Sequence, residues 1–171
     1  MSNKKGTFVL LSLGANLGDR LTALQSAVML LISETQLRDV VCSPVYETEP
    51  VGYKNQPSFL NIAVCGWTSL TATDFHVISK NIEQEIGRKN RERWHEREID
   101  IDILLFGEDI IRLDRLQLPH PRMEERRFVL VPSADVAAEA IHPVLGKTIR
   151  VLLEECTDTA EVIKSDLDIK L

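Results

Sequence analysis

The chain has 171 residues, 44% of them hydrophobic and 27% charged, with a formal net charge of −6. That length suits one domain over residues 1–171 with a sizeable core, and the ordinary composition excludes a disordered or fibrous chain. The acidic balance disfavours a general nucleic-acid binder, yet half of the Lys and Arg fall within residues 88–97 and 112–127, which points to a local anionic ligand.

Cys42, Cys65 and Cys156 are few, odd in number and widely spaced, so neither a zinc site nor a disulfide framework is indicated. The apolar run Phe8–Leu13 is too short to span a membrane, and no small-residue cleavage site follows it. A reducing cytoplasm is the expected compartment. Neither a membrane nor nucleic acid is expected as a partner.

Residues 8–13 predict a strand, ended at Gly14-Ala15-Asn16-Leu17-Gly18, where Gly14 reads as a tight strand-to-helix turn. From Asp19, apolar residues at Leu21, Leu24, Ala27, Val28 and Leu31 recur at helical spacing. Residues 38–47 read as extended, followed by the punctuated loop 48–57 and a strand over 59–67. Thr71-Ala72-Thr73-Asp74 resembles a capping pattern and opens a helix to about Ile86, closed by Gly87. A strand follows near 100–106, then a turn at Gly107-Glu108-Asp109 and a punctuated loop over 116–132. Residues 134–140 and 149–155 read as helical, and 156–171 are weakly patterned. This order predicts an α+β fold with a ferredoxin-like βαββαβ core, an antiparallel sheet covered by helices, and a C-terminal extension. Val144-Leu145-Gly146-Lys147-Thr148 mimics the end of a P-loop, but Ile141 stands where its first glycine belongs, so a phosphate loop is rejected.

The most informative stretch is Arg93 to Gly107. On a strand, Asp100 and Asp102 share one face and Ile99, Ile101 and Ile103 the other. Two adjacent carboxylates repel unless a cation lies between them. Mg²⁺ is typically held by one or two carboxylates together with substrate phosphates. Arg88, Lys89, Arg91, Arg93 and Arg97 precede the strand, so a polyphosphate neutralised from several sides is the expected substrate. A solvated acidic face beside a basic turn is the plainer alternative.

With these segments in view, the chain resembles the 6-hydroxymethyl-7,8-dihydropterin pyrophosphokinases of folate biosynthesis. The likeness covers about residues 7–155. It rests on Leu11-Ser12-Leu13-Gly14-Ala15-Asn16-Leu17-Gly18, Tyr46 to Gly52, Phe59-Leu60-Asn61, Arg97 to Asp102 and Pro119-His120-Pro121-Arg122. The resemblance implies transfer of the β,γ-diphosphate of ATP to the pterin's hydroxymethyl oxygen, with release of AMP. It implies two Mg²⁺ ions on Asp100 and Asp102, and catalytic roles for these two together with Arg88 and Arg97. ATP would meet Glu83, Arg88, Trp94, Arg97 and Ile103, and further along Arg115, Gln117, His120 and Arg126. The pterin would lie between Phe59 and Phe128, held by Asn61 and by groups near Thr48, Val51 and Asp100. His95 stands where the family usually has a small residue. The partners expected are therefore these two small molecules, with a monomer as the default. Two other classes compete on the same residues, a metal-dependent phosphohydrolase and a ferredoxin-like RNA-binding module.

Overall fold

The computed structural model describes residues 6–52, 54–90 and 95–171. The apolar run near the N-terminus forms β1 (Thr7–Ala15) at the heart of the sheet. Gly18, at φ 68°, turns the chain into α1 (Arg20–Glu34), and Asp19 caps that helix by accepting the Thr22 N–H at 3.0 Å. The next segment makes β2 (Arg38–Cys42) and β3 (Tyr46–Thr48), followed by the long β4 (Phe59–Thr68). Thr71 caps α2 (Ala72–Ile86), and Gly87 ends it in the left-handed region at φ 107°. Then come β5 (Asp100–Phe106), a hairpin of β6 (Ile111–Leu113) and β7 (Leu116–Leu118), α3 (Arg127–Ala137), α4 (Ile149–Glu155) and β8 (Val162–Lys164).

The main sheet has the order β5-β1-β4-β3-β8, with β2 also pairing β4, and each pairing is antiparallel. One face carries Leu11, Leu13, Ile62, Ile101 and Ile103 into a core with Leu24, Val28 and Leu31 of α1 and Phe75 and Ile82 of α2. Fully burying such a side chain is worth about 1.5–3 kcal/mol, so this face anchors the sheet. The other face packs Leu10, Cys65, Leu104 and Leu105 against Val129 and Leu130 of α3 and Ile149 and Leu152 of α4. The helices thus form a layer on each side of the sheet. Among the described residues no helix is long and apolar enough to cross a membrane.

Several expectations need correction. The extended stretch 38–47 is two strands, broken at Ser43-Pro44-Val45 because Pro44 has no N–H for the ladder. The loop expected over 116–132 contains β7, and the helix expected at 134–140 begins earlier, at Arg127. Pro132 lies inside that helix, and a proline reads locally as a stop. Gly14 is no turn: it lies within β1, paired with Asn61 on one side and Asp100 on the other. The P-loop mimic is a tight turn in which His142 N–H donates to the Lys147 carbonyl at 2.8 Å and Thr148 caps α4.

Candidate active site

The period of β5 puts Asp100 and Asp102 on the α3 side of the sheet, while Ile99, Ile101 and Ile103 are at most 4% exposed on the other. A register shift between Leu10 and Leu11 marks a bulge against β5, so Leu104 and Leu105 both reach the second core. The two carboxylates are 37% and 35% exposed, within reach of a ligand.

They form the floor of a cavity of about 310 Å³. Its walls include Thr48, Val51, Phe59, Asn61 and Phe128 together with Arg97, His120 and Arg126. One rung of the sheet runs Tyr46–Asn61–Gly14–Asp100, so the amide and the first carboxylate stand two strands apart, roughly 10 Å. Gly14 fills the position between them because a Cβ there would sit 2.8 Å from Asn61 Oδ1. Asn61 is 3% exposed and donates from Nδ2 to Thr48 Oγ1 at 2.5 Å. A second cavity of about 230 Å³ is lined by His76, Lys80, Ile103, Arg115 and Gln117, and shares Asp102 and His120 with the first.

Burial and the neighbouring Asp100 push the Asp102 carboxyl up to about 7. Burial is the larger cause and the Asp100 charge the second, and Lys80 and Arg126 offset them only in part. Burial and the nearby Arg126 hold His120 below its ordinary value. In the neutral ring Nδ1–H donates to the Pro121 carbonyl at 2.9 Å, and Nε2 stands 3.9 Å from Asp102 Oδ2.

Arg97 carries the clearest demand for a ligand. Its Nη1 is buried with no hydrogen-bond partner among the described residues, and a buried, unsatisfied donor is costly. Its main chain is fixed by Asn16, which is 1% exposed: Asn16 Oδ1 accepts the Arg97 N–H at 2.8 Å, and Asn16 N–H donates to the Arg97 carbonyl at 3.0 Å. Asn16 Nδ2 also donates to Gln56 Oε1 and the Pro57 carbonyl, each at 3.0 Å. One amide thereby holds both loops that flank the cavity. An all-oxygen carboxylate pair, next to an arginine whose buried Nη1 has no partner among the described residues, fits Mg²⁺ on the acids and phosphate on the arginine.

Two expected contacts fall elsewhere. Glu83 does not line either cavity: it is 2% exposed beneath β5, where Oε1 accepts the Ile101 N–H at 2.7 Å and Lys80 Nζ at 2.9 Å, and Oε2 accepts from Arg88. Arg88 likewise lines neither cavity: it pairs with Glu83 and lies 3.2 Å from Asp100 Oδ1. Trp94, and with it the centre of the basic loop, lies outside the described residues. His95 does line the first cavity, with Nδ1 3.9 Å from Glu96 Oε2. Sequence reasoning missed Asn16, Gly14 and Lys80. The first two lie within the Leu11–Gly18 motif, and Lys80 is one turn from Glu83 on α2.

The fold is an antiparallel sheet with helices on both faces, and one cavity brings together a carboxylate pair, aromatic side chains, a buried amide and cationic groups. The chain belongs to the 7,8-dihydro-6-hydroxymethylpterin-pyrophosphokinase (HPPK) family, whose model matches residues 10–138. It is 44% identical over 129 residues to the 2-amino-4-hydroxy-6-hydroxymethyldihydropteridine pyrophosphokinase of Bacillus subtilis, covering 75% of this chain and 77% of that one. The protein of the same name from Aquifex aeolicus is 38% identical over 87% of this chain and 92% of its own. Among solved structures, Plasmodium falciparum HPPK-DHPS with pteroate superposes with a TM-score of 0.67 at 20% identity, over 91% of this chain and 43% of that one. The likeness at that identity is one of fold, and this chain spans less than half of that longer one.

Proposed function

We propose that this protein transfers the β,γ-diphosphate of ATP to the hydroxymethyl oxygen of 6-hydroxymethyl-7,8-dihydropterin in folate biosynthesis, releasing AMP. The observation that carries the reading is the pair of cavities meeting at Asp102 and His120. One suits a flat polar heterocycle, with Phe59 and Phe128 for its faces and Asn61 for its edge. The other suits a nucleotide, with Ile103, Arg115 and Gln117 around it. The acceptor hydroxyl and the β-phosphorus would come together above the carboxylates. The new bond joins that oxygen to the β-phosphorus, and the bond to the oxygen bridging α and β breaks.

Arg97, Arg126 and His120 would hold the phosphate oxygens, and Arg97 would gain the partner its Nη1 lacks. Asp100 and Asp102 would hold two Mg²⁺ ions, which when bound neutralise the triphosphate and orient it for displacement. Arg88, held by Glu83 behind Asp100, would steady that carboxylate and reach the phosphates only by giving up part of its pairing. Thr48 would fix the Asn61 amide, and Val51 would close the pterin side. Trp94 would take part from the basic loop.

The reading extends to one domain over residues 1–171, acting as a cytoplasmic monomer. One chain lining both cavities supports the former, and the three unpaired cysteines suit a reducing compartment. The strand order β5-β1-β4 followed by β2 and β3 supports a ferredoxin-like core, with β6 to β8 and α3 to α4 as its extension.

Incubation with ATP, Mg²⁺ and 6-hydroxymethyl-7,8-dihydropterin should give AMP and diphosphorylated pterin in equal amounts. ADP as the main nucleotide product would sink the proposal, and diphosphate release without pterin would mark a phosphohydrolase.

A further inference from the structure

The family match ends at residue 138, yet the chain runs on and returns to the site from two sides. On the first side, Asp158 Oδ2 accepts the main-chain N–H of Arg127 at 2.9 Å, while its Oδ1 accepts the Ala160 N–H at 3.0 Å. Arg127 opens α3, and the residue before it supplies no side-chain cap. A carboxylate from the tail therefore satisfies a donor at the helix start. The residues flanking Arg127 are Arg126 and Phe128, both in the cavity wall.

On the second side, β8 pairs with β3 in the register Tyr46↔Lys164, Glu47↔Ile163, Thr48↔Val162. Ser165 N–H donates to the Val45 carbonyl at 2.8 Å. Antiparallel alternation then directs the main-chain groups of Glu47 toward Ile163, and those of Tyr46 and Thr48 toward β4. β3 has only three residues and ends on Thr48, the acceptor for Asn61. Without β8 it would be a short sheet edge, the kind of element that opens first.

The tail is well secured beyond β8. Ile169 is 6% exposed within the main core, and the Gln25 amide both donates to the Lys170 carbonyl, at 2.6 Å, and accepts its N–H, at 2.8 Å. Tyr46 completes the arrangement by donating its hydroxyl to Asp135 Oδ2 of α3 at 2.5 Å, so β3 and α3 are also joined directly.

We propose that residues 158–170 are a positioning clasp for the pterin half of the site, holding Thr48 through β8 and the first turn of α3 through Asp158. This rests on the pyrophosphokinase reading. The clasp touches no substrate. It acts through Thr48, Asn61 and Phe128, none of which lines the second cavity, Arg126 being the one phosphate-holding residue beside it.

The test uses the whole chain. Ile163→Pro removes one ladder donor at a side chain that is 58% exposed, with Ile163→Val as the control. Asp158→Ala removes the acceptors for Arg127 and Ala160, and Asp158→Asn keeps one oxygen, enough for Arg127 while the exposed Ala160 N–H turns to water. Loss of a cap of this kind corresponds to about a fivefold change. Ile163→Pro and Asp158→Ala should each raise the pterin KM by about that factor, with ATP KM within twofold, and the two conservative variants should behave as the parent. Amide exchange at residues 46–49 should quicken in Ile163→Pro, a readout independent of turnover. Equal changes in both KM values, or none in either, would overturn the clasp. Should Ile163→Pro not fold, Asp158→Ala decides alone. Failure of the unaltered protein to bind the pterin would instead strike the functional reading beneath it.

Discussion

Arg97 and Gly14 show how little of a residue's role follows from its type alone. A surface arginine is an ordinary thing, but the Arg97 Nη1 is buried with no hydrogen-bond partner among the described residues, which suits the phosphate contact proposed for it. Losing one preorganised donor of this kind typically costs ~2.7–4 kcal/mol in kcat. Arg97→Ala should therefore lower kcat by some hundreds-fold, with a smaller effect on ATP affinity, as single-turnover kinetics beside equilibrium titration would show. An equal loss in both would mean that Arg97 serves ground-state binding alone. Gly14 is required by its neighbour rather than by its backbone angles. Gly14→Ala would push a Cβ against Asn61 Oδ1, so pterin binding should weaken about tenfold or more while nucleotide binding holds. A calorimetric titration with each ligand separates these effects. Phe59→Ala and Phe128→Ala should likewise weaken pterin binding selectively, by the ~1–3 kcal/mol that aromatic stacking on a base is worth. Equal losses for ATP would show that they are simply core.

At the scale of elements, β5 holds two like-charged carboxylates, Asp100 and Asp102, on one face. Burial and the neighbouring Asp100 push the Asp102 carboxyl up to about 7. A carboxyl raised in this way favours the folded state while protonated, and that contribution fades as pH climbs from about 4 toward 7. Asp102→Asn should therefore raise the melting temperature of the metal-free protein at pH 8 by a few degrees and change it far less at pH 4. Calorimetry in EDTA checks this, and turnover of the same variant should nearly vanish. Elements were legible in the sequence where local signals were strong and agreed with one another. Asp19 and Thr71 announced α1 and α2, Gly87 announced the stop, and the alternation of Asp100 to Ile103 announced the site floor. What escaped was settled by distant partners. Pro132 hid α3, whose start is held by Asp158. β8 has no pattern of its own and exists because β3 offers it an edge. The buried Glu83 looks like any helical glutamate until the strand it supports is in place. The aromatic walls and His120 were expected from the family likeness, and their gathering into one cavity came from the fold.

Taken whole, the molecule is acidic at net −6, yet Arg97 and Arg126 line one cavity and Lys80 and Arg115 the other that meets it at Asp102. Ligand binding should therefore show in global stability in a particular order. Mg²⁺ alone should shift melting little, because two carboxylates supply only part of its oxygen shell. Mg²⁺ with a non-hydrolysable ATP analogue at about 100 times its Kd should add about 2.7 kcal/mol, hence roughly 5–10 °C in Tm. EDTA should abolish most of that gain. A full shift from Mg²⁺ alone would point to a resident metal site needing no nucleotide.

The sheet's two faces divide labour along a single strand, and that has a consequence for tolerance to mutation. Leu11, Leu13, Ile101 and Ile103 look toward α1 and α2, whereas Ser12, Gly14, Asp100 and Asp102 look into the cavity. In a saturation library scored both for cellular abundance and for growth without supplied folate, the two sets should separate residue by residue. Changes at Leu11, Leu13, Ile101 and Ile103 should deplete the protein itself, as should changes at Leu10 and Leu104, which the second core buries. Changes at Ser12, Gly14, Asp100 and Asp102 should leave abundant but inactive protein, and those at the aspartates should leave more of it than the parent yields.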